Sequence, residues 1–76
     1  MNGEAIEARL REVFPDAELR LEDLTGGGDH WSATIVTAAF AGKSRIEQHQ
    51  LVYAALGEAM AGPIHALQLR TSAPKS

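Results

Sequence analysis

Residues 17–37, A-E-L-R-L-E-D-L-T-G-G-G-D-H-W-S-A-T-I-V-T, decide how this chain folds. From Ala17 to Glu22 the residues alternate without a fault, with Ala17, Leu19 and Leu21 on one face and Glu18, Arg20 and Glu22 on the other. A period of two with one polar face predicts a half-buried strand. Residues 31–38, rich in β-branched side chains, predict a second strand. The short glycine loop between the two predicts an antiparallel hairpin. Gly26, Gly27 and Gly28 have two readings. They form a plain turn, since glycine reaches φ > 0 without a steric penalty. Or they form a mobile arm that presents Asp29 and His30 to something outside the chain.

Upstream of the hairpin, Ile6, Leu10, Val13 and Phe14 recur at i, i+4, i+7 and i+8, the stripe of an amphipathic helix. Asn2 is suited to cap its start, and Pro15 ends it at Phe14. Downstream, F-A-G-K at 40–43 predicts a turn, and Ser44 with Glu47 three residues later predicts a capping box that opens a second helix. That helix is predicted to run to about Ala61, with His49, Val52, Leu56 and Met60 on one stripe, and to stop at Gly62-Pro63. I-H-A-L-Q-L-R-T at 64–71 predicts a third strand with Leu67 and Leu69 on one face, and residues 72–76 a short loose tail. The order α-β-β-α-β therefore predicts one α+β domain over residues 1–76, a three-stranded mixed sheet with both helices on one face. If the strands that flank the long helix are parallel neighbours, as in a crossover unit, His30 and His65 begin adjacent strands at one edge of the sheet.

Composition narrows the function. A chain of 76 residues is one domain, and it buries only about 60% of the surface of its unfolded form. Its hydrophobic fraction of 45% still supports a core, although only Phe14, Trp31, Phe40 and Tyr53 are aromatic. No apolar run approaches a membrane span and no signal-peptide pattern opens the chain, so a cytoplasmic protein is expected. There is no cysteine, which excludes disulfides, a thiol nucleophile and any thiolate ligand from the chain itself. The net charge of −3 is uneven. Residues 1–29 carry eight acids against three arginines, whereas residues 30–76 carry four Lys or Arg against two acids.

Three chemistries deserve weighing. His30 and His65, brought to one edge, form a candidate metal site, because neutral imidazole is a common ligand. Yet the spacing from His30 to His49 to His65 fits no zinc pattern. His49 lies one turn before Tyr53 and is expected to pack or cap. No nucleophile is paired with a base, and so short a chain has little room for a substrate pocket, so an enzyme is not expected. A-G-K-S at 41–44 lacks the spacing of a phosphate loop. It matches half of a G-x-x-G nucleic-acid clamp, whose second glycine would fall at Arg45, and Lys43 with Arg45 is the best basic pair.

D-H-W at 29–31, F-A-G-K-S-R-I-E-Q-H-Q-L-V-Y-A-A-L at 40–56, I-H-A-L at 64–67 and T-S-A-P at 71–74 together resemble the BolA family over nearly the whole chain. The resemblance implies a fold similar to the type II KH domain. It implies partnership with monothiol glutaredoxins in the assembly or trafficking of [2Fe–2S] clusters, with His65 of the H-A-L motif as one ligand. The loop position where members carry cysteine or histidine corresponds to His30, the second ligand candidate. Clusters are ordinarily held by thiolates, so any cluster is expected to be shared with cysteines of the glutaredoxin and of glutathione, and none to be bound by the isolated chain. On this reading the glycines let His30 swing toward a ligand that arrives on the partner. The resemblance leaves room for a homodimer of the cluster-free chain, and for the alternative of a KH-like DNA-binding transcriptional regulator using Lys43 and Arg45, with weak DNA affinity.

Overall fold

The computed structural model describes residues 2–60, 62, 64 and 66–75. Helix α1 spans Gly3–Val13, and the Asn2 side chain accepts the Ala5 N–H at 2.9 Å to cap it. Strand β1 spans Glu18–Asp23 and strand β2 spans His30–Val36. They pair antiparallel, with Leu21 opposite Ala33 and Asp23 opposite Trp31. A 3₁₀ turn at Ala38–Phe40 follows, then helix α2 at Arg45–Leu56, a second 3₁₀ turn at Gly57–Met60, and strand β3 at Ala66–Ser72. Strand β3 lies parallel to β2, so the sheet runs β1-β2-β3 and β2 is central. The predicted α+β order, the hairpin and the mixed sheet are all present.

The alternation in the sequence becomes two faces of this sheet. Trp31, Ala33 and Ile35 of β2 are buried beneath the helices with Ile6, Leu10 and Phe14 on the α1 side and Val52 and Leu56 of α2. Helix α1 packs on β1 and on α2, and α2 packs on β3. Phe14 and Phe40 meet edge to face, centroids 5.2 Å apart, in the favoured geometry of an aromatic pair. Thr37, a fully buried polar residue, donates its hydroxyl to Asp16 at 2.7 Å, and the other Asp16 oxygen accepts the Ala38 N–H at 3.0 Å. These bonds hold the Asp16 carboxyl below the usual carboxylate range, the Thr37 hydroxyl contributing most. The opposite face of the sheet, including Glu18, Arg20, Glu22, Gln68 and Arg70, is bare.

Several boundaries differ from the sequence reading, β1 among them, which spans Glu18–Asp23 rather than 17–22. The capping box forms as predicted, but α2 ends at Leu56 rather than near Ala61. Gly57 takes φ 53° and ψ −124°, a conformation open to glycine, and its N–H caps the helix on the Tyr53 carbonyl. The second strand begins at His30 and stops at Val36, because the Thr37 side chain accepts the Ala39 N–H and starts the 3₁₀ turn. Ser72 belongs to β3 and not to the tail, since its carbonyl accepts the Thr37 N–H at 3.1 Å. Among the described residues no helix is long and apolar enough to cross a membrane.

Candidate functional site

The glycine loop is built around one carboxylate. Asp23 closes β1, and its Oδ1 accepts the N–H groups of Thr25 at 3.2 Å and Gly26 at 2.9 Å. Its Oδ2 accepts the N–H of Gly28 at 3.0 Å. Positive φ at Gly26 (79°) and Gly28 (77°) lets the chain coil around the carboxylate in this way. The Thr25 hydroxyl bridges to Asp29 Oδ1 at 3.0 Å, and the indole N–H of Trp31 donates to the Gly28 carbonyl at 2.9 Å. The N–H of Leu24 meets the carbonyl of His30 at 2.8 Å, which extends the hairpin to the loop base.

This geometry corrects the swinging arm. His30 is the first residue of β2, in register with Ala66, and the preceding Asp29 carbonyl accepts the Ala66 N–H at 3.2 Å. The glycines are spent on closing a hydrogen-bonded loop, so His30 is presented from a strand instead of a tether. Its side chain is 42% exposed, and its Nε2 lies 3.6 Å from Asp29 Oδ2, an ion-pair distance when the imidazole is protonated. That distance is long for a hydrogen bond. Asp29 is itself fixed by Thr25, so a carboxylate stands beside an accessible imidazole at the sheet's end.

His65 lies outside the described residues. Its chain neighbour Ala66 is the partner of His30, so the parallel register on which the two-histidine argument depends is present in β2 and β3. Lys43 lies in the turn before α2 and Arg45 is the first residue of that helix, both exposed. His49 is half-buried and lines a depression with Arg45, Leu69, Arg70 and Thr71. The sequence reading missed two things here. Asp23 as organiser was legible, since Asp followed by Leu-Thr-Gly is a carboxylate-capped turn pattern. The approach of Arg45 and His49 to Leu69 and Thr71 was not, because only the packing of α2 on β3 unites them.

Donor chemistry tests whether these residues fit a cluster. The chain has no cysteine, and no group of three His, Cys, Asp or Glu side chains suited to a metal lies among the described residues. His30 offers an accessible imidazole as a single donor.

Comparison with known proteins places the chain. The family model described as BolA-like protein matches residues 4–76, and the chain belongs to the BolA family. It is 35% identical over 71 residues to the uncharacterized protein RP812 of Rickettsia prowazekii, covering 93% of this chain and 92% of that one. It is 30% identical over 78 residues to the DNA-binding transcriptional regulator BolA of Escherichia coli, covering 93% and 74%. The BolA domain of SufE1 from Arabidopsis thaliana superposes with a TM-score of 0.87 at 31% identity, over 95% of this chain and 91% of that one. The chain spans 56% of the mouse BolA-like protein 1.

Proposed function

We propose that this chain is an iron–sulfur assembly or trafficking adaptor that shares a [2Fe–2S] cluster with a monothiol glutaredoxin. The observation that carries the reading is the pairing of His30 with Ala66, the residue that follows His65. In this role His30 and His65 each offer a neutral imidazole nitrogen, with the Asp29 carboxylate beside the His30 ring. Cysteines of the glutaredoxin and of glutathione supply the thiolates that the chain lacks. Histidine in place of thiolate raises the potential of such a cluster, as in Rieske centres.

The test mixes the protein with a monothiol glutaredoxin, iron, sulfide and glutathione under anaerobic conditions, followed by visible circular dichroism. A new spectrum is expected only with both proteins present, and the isolated chain should return background iron and sulfide. His65→Ala should remove histidine ligation, and His30→Ala should weaken or alter the cluster while leaving protein–protein binding. Electron paramagnetic resonance of the reduced cluster reads the nitrogen ligands. Spectra of His65→Ala identical to those of the unmodified protein would refute the assignment.

A second reading is favoured by one observation, the 30% identity to a relative named as a DNA-binding transcriptional regulator. Lys43 and Arg45 would meet the phosphates. With so few cations, affinity at physiological salt should be weak and fall steeply as salt rises. Nanomolar, sequence-selective binding that is lost on replacing Lys43 and Arg45 with alanine would favour the regulator.

A further inference from the structure

Strand β1 is an edge of the sheet and pairs only with β2. The Leu24 N–H bonds to the His30 carbonyl, one step beyond the pairing of Asp23 with Trp31. In an antiparallel ladder the pairs that exchange bonds alternate. Glu18, Arg20 and Glu22 therefore bond inward, and Leu19 and Leu21 turn their N–H and C=O groups outward. No partner for these outward groups is present among the described residues.

The same two leucines line a crevice on the helix side of the sheet. With Trp31 and with Gly3, Glu4 and Glu7 of α1 they bound about 310 Å³. Gly3 leaves it open: a Cβ there would stand 3.5 Å from the Trp31 ring, and a longer side chain would enter the crevice. Its carboxylates are Glu7, shared with Arg11 at 3.1 Å, and Glu4, which has no hydrogen bond or ion pair among the described residues. On the bare face the edge reads Glu18, Arg20, Glu22, all three exposed and none ion-paired among the described residues. Charges on an edge strand discourage indiscriminate pairing. They also select, because a strand laid antiparallel sets its own side chains directly opposite these three, where unlike charges attract and like charges repel.

We propose that the β1 edge and its crevice form a docking site for an extended, net basic segment of a partner protein, which adds antiparallel as a fourth strand. Backbone pairing with Leu19 and Leu21 would supply affinity. A segment that reads basic, apolar, acidic, apolar, basic meets Glu22, Arg20 and Glu18 with unlike charges, and the same register carries its apolar side chains to the helix side, at the crevice. A second copy of this chain fits less well. Helix α1 packs on β1, so a second β1 would bring its own α1 to within about one strand spacing, ~4.8 Å, where helices need about 8–10 Å. A second β3 would likewise bring its α2. Neither histidine takes part, so docking here stands or falls independently of cluster sharing.

The experiment uses the full chain, isotope-labelled, and follows backbone amides by nuclear magnetic resonance as two capped peptides are added. One has the core lysine-valine-glutamate-valine-lysine, and the other the charge-reversed core glutamate-valine-lysine-valine-glutamate. The first is expected to shift the Leu19 and Leu21 amides saturably, and the second to bind about fivefold more weakly or worse. The triple variant Glu18→Lys, Arg20→Glu, Glu22→Lys should reverse that preference, which a loss of structure could not do. Gly3→Leu fills the crevice and should weaken the first peptide by about threefold or more with the amide spectrum still dispersed. Absent or scattered shifts, equal binding of the two peptides, a preference unchanged in the triple variant, or full affinity in Gly3→Leu would overturn the proposal. So would β1 shifts that depend on protein concentration alone, the sign of a second copy at this edge.

Discussion

Replacing Asp23 with alanine removes the acceptor of three N–H groups, those of Thr25, Gly26 and Gly28, while touching neither histidine. A hydrogen bond contributes about 0.5–1.5 kcal/mol net, and the loop is open enough for water to replace part of each, so the loss should be about 1–2 kcal/mol. For a domain of this size that corresponds to a melting temperature lower by roughly 6–13 °C. The same free energy stands between the ordered loop and a disordered one, so presentation of His30 should weaken with it. A change of 1.4 kcal/mol is tenfold, which sets the expected loss of affinity in the glutaredoxin mixture at up to about tenfold. Asp23→Asn offers one carbonyl oxygen in place of two, so it can keep the Thr25 and Gly26 bonds and lose that of Gly28, with a smaller effect. Urea unfolding measures the stability, amide exchange at Gly26 and Gly28 the loop order, and visible circular dichroism the shared cluster. If Asp23→Ala leaves the unfolding midpoint and the exchange of both glycines unchanged, the carboxylate does not organise the loop and the argument fails.

Asp16 should impose a pH dependence on stability. Its carboxyl is held below its ordinary value in the fold by Thr37 and Ala38, so its contribution is present above the ordinary carboxylate range and is lost as pH falls through the lowered folded value. Asp16→Asn should flatten that acid limb of a urea-unfolding series, and an unaltered limb would count against the assignment. Gly57→Ala should cost about 1–3 kcal/mol by forcing a side chain into φ 53°, although nothing lies within 4 Å of the new methyl group. A variant as stable as the parent would show that the helix end can relax. Phe40→Ala, at a site 1% exposed and in contact with Phe14, should cost about 3–5 kcal/mol and leave little folded protein at 37 °C. Thermal melting by far-ultraviolet circular dichroism reads it, and a loss under about 1 kcal/mol would mean the core re-forms without the ring.

Local patterns settled most of the architecture before any coordinates. The alternation of 17–22, the β-branched run after the glycines, the stripe from Ile6 to Phe14 and the Ser44–Glu47 box each depend on near neighbours in the chain, and each formed its element. Such signals are legible because their physics is local: the periods of helix and strand, the geometry of a cap, the conformational range of glycine. Boundaries were less legible. Gly57 sits within a run suited to helix, and only the folded chain shows the conformation that ends α2 there. The end of β2 is marked by Thr37, whose side chain accepts the Ala39 N–H and donates to Asp16, 21 residues away in the chain. The loop reading turned on a similar point, because three glycines in a sequence allow motion, while in the fold the Asp23 carboxylate accepts three of the loop's N–H groups. That Arg45 and His49 of α2 line one depression with Leu69 and Thr71 of β3 was decided by tertiary structure alone. Their proximity arises from the packing of α2 against β3, and no spacing along the chain encodes where two elements will touch.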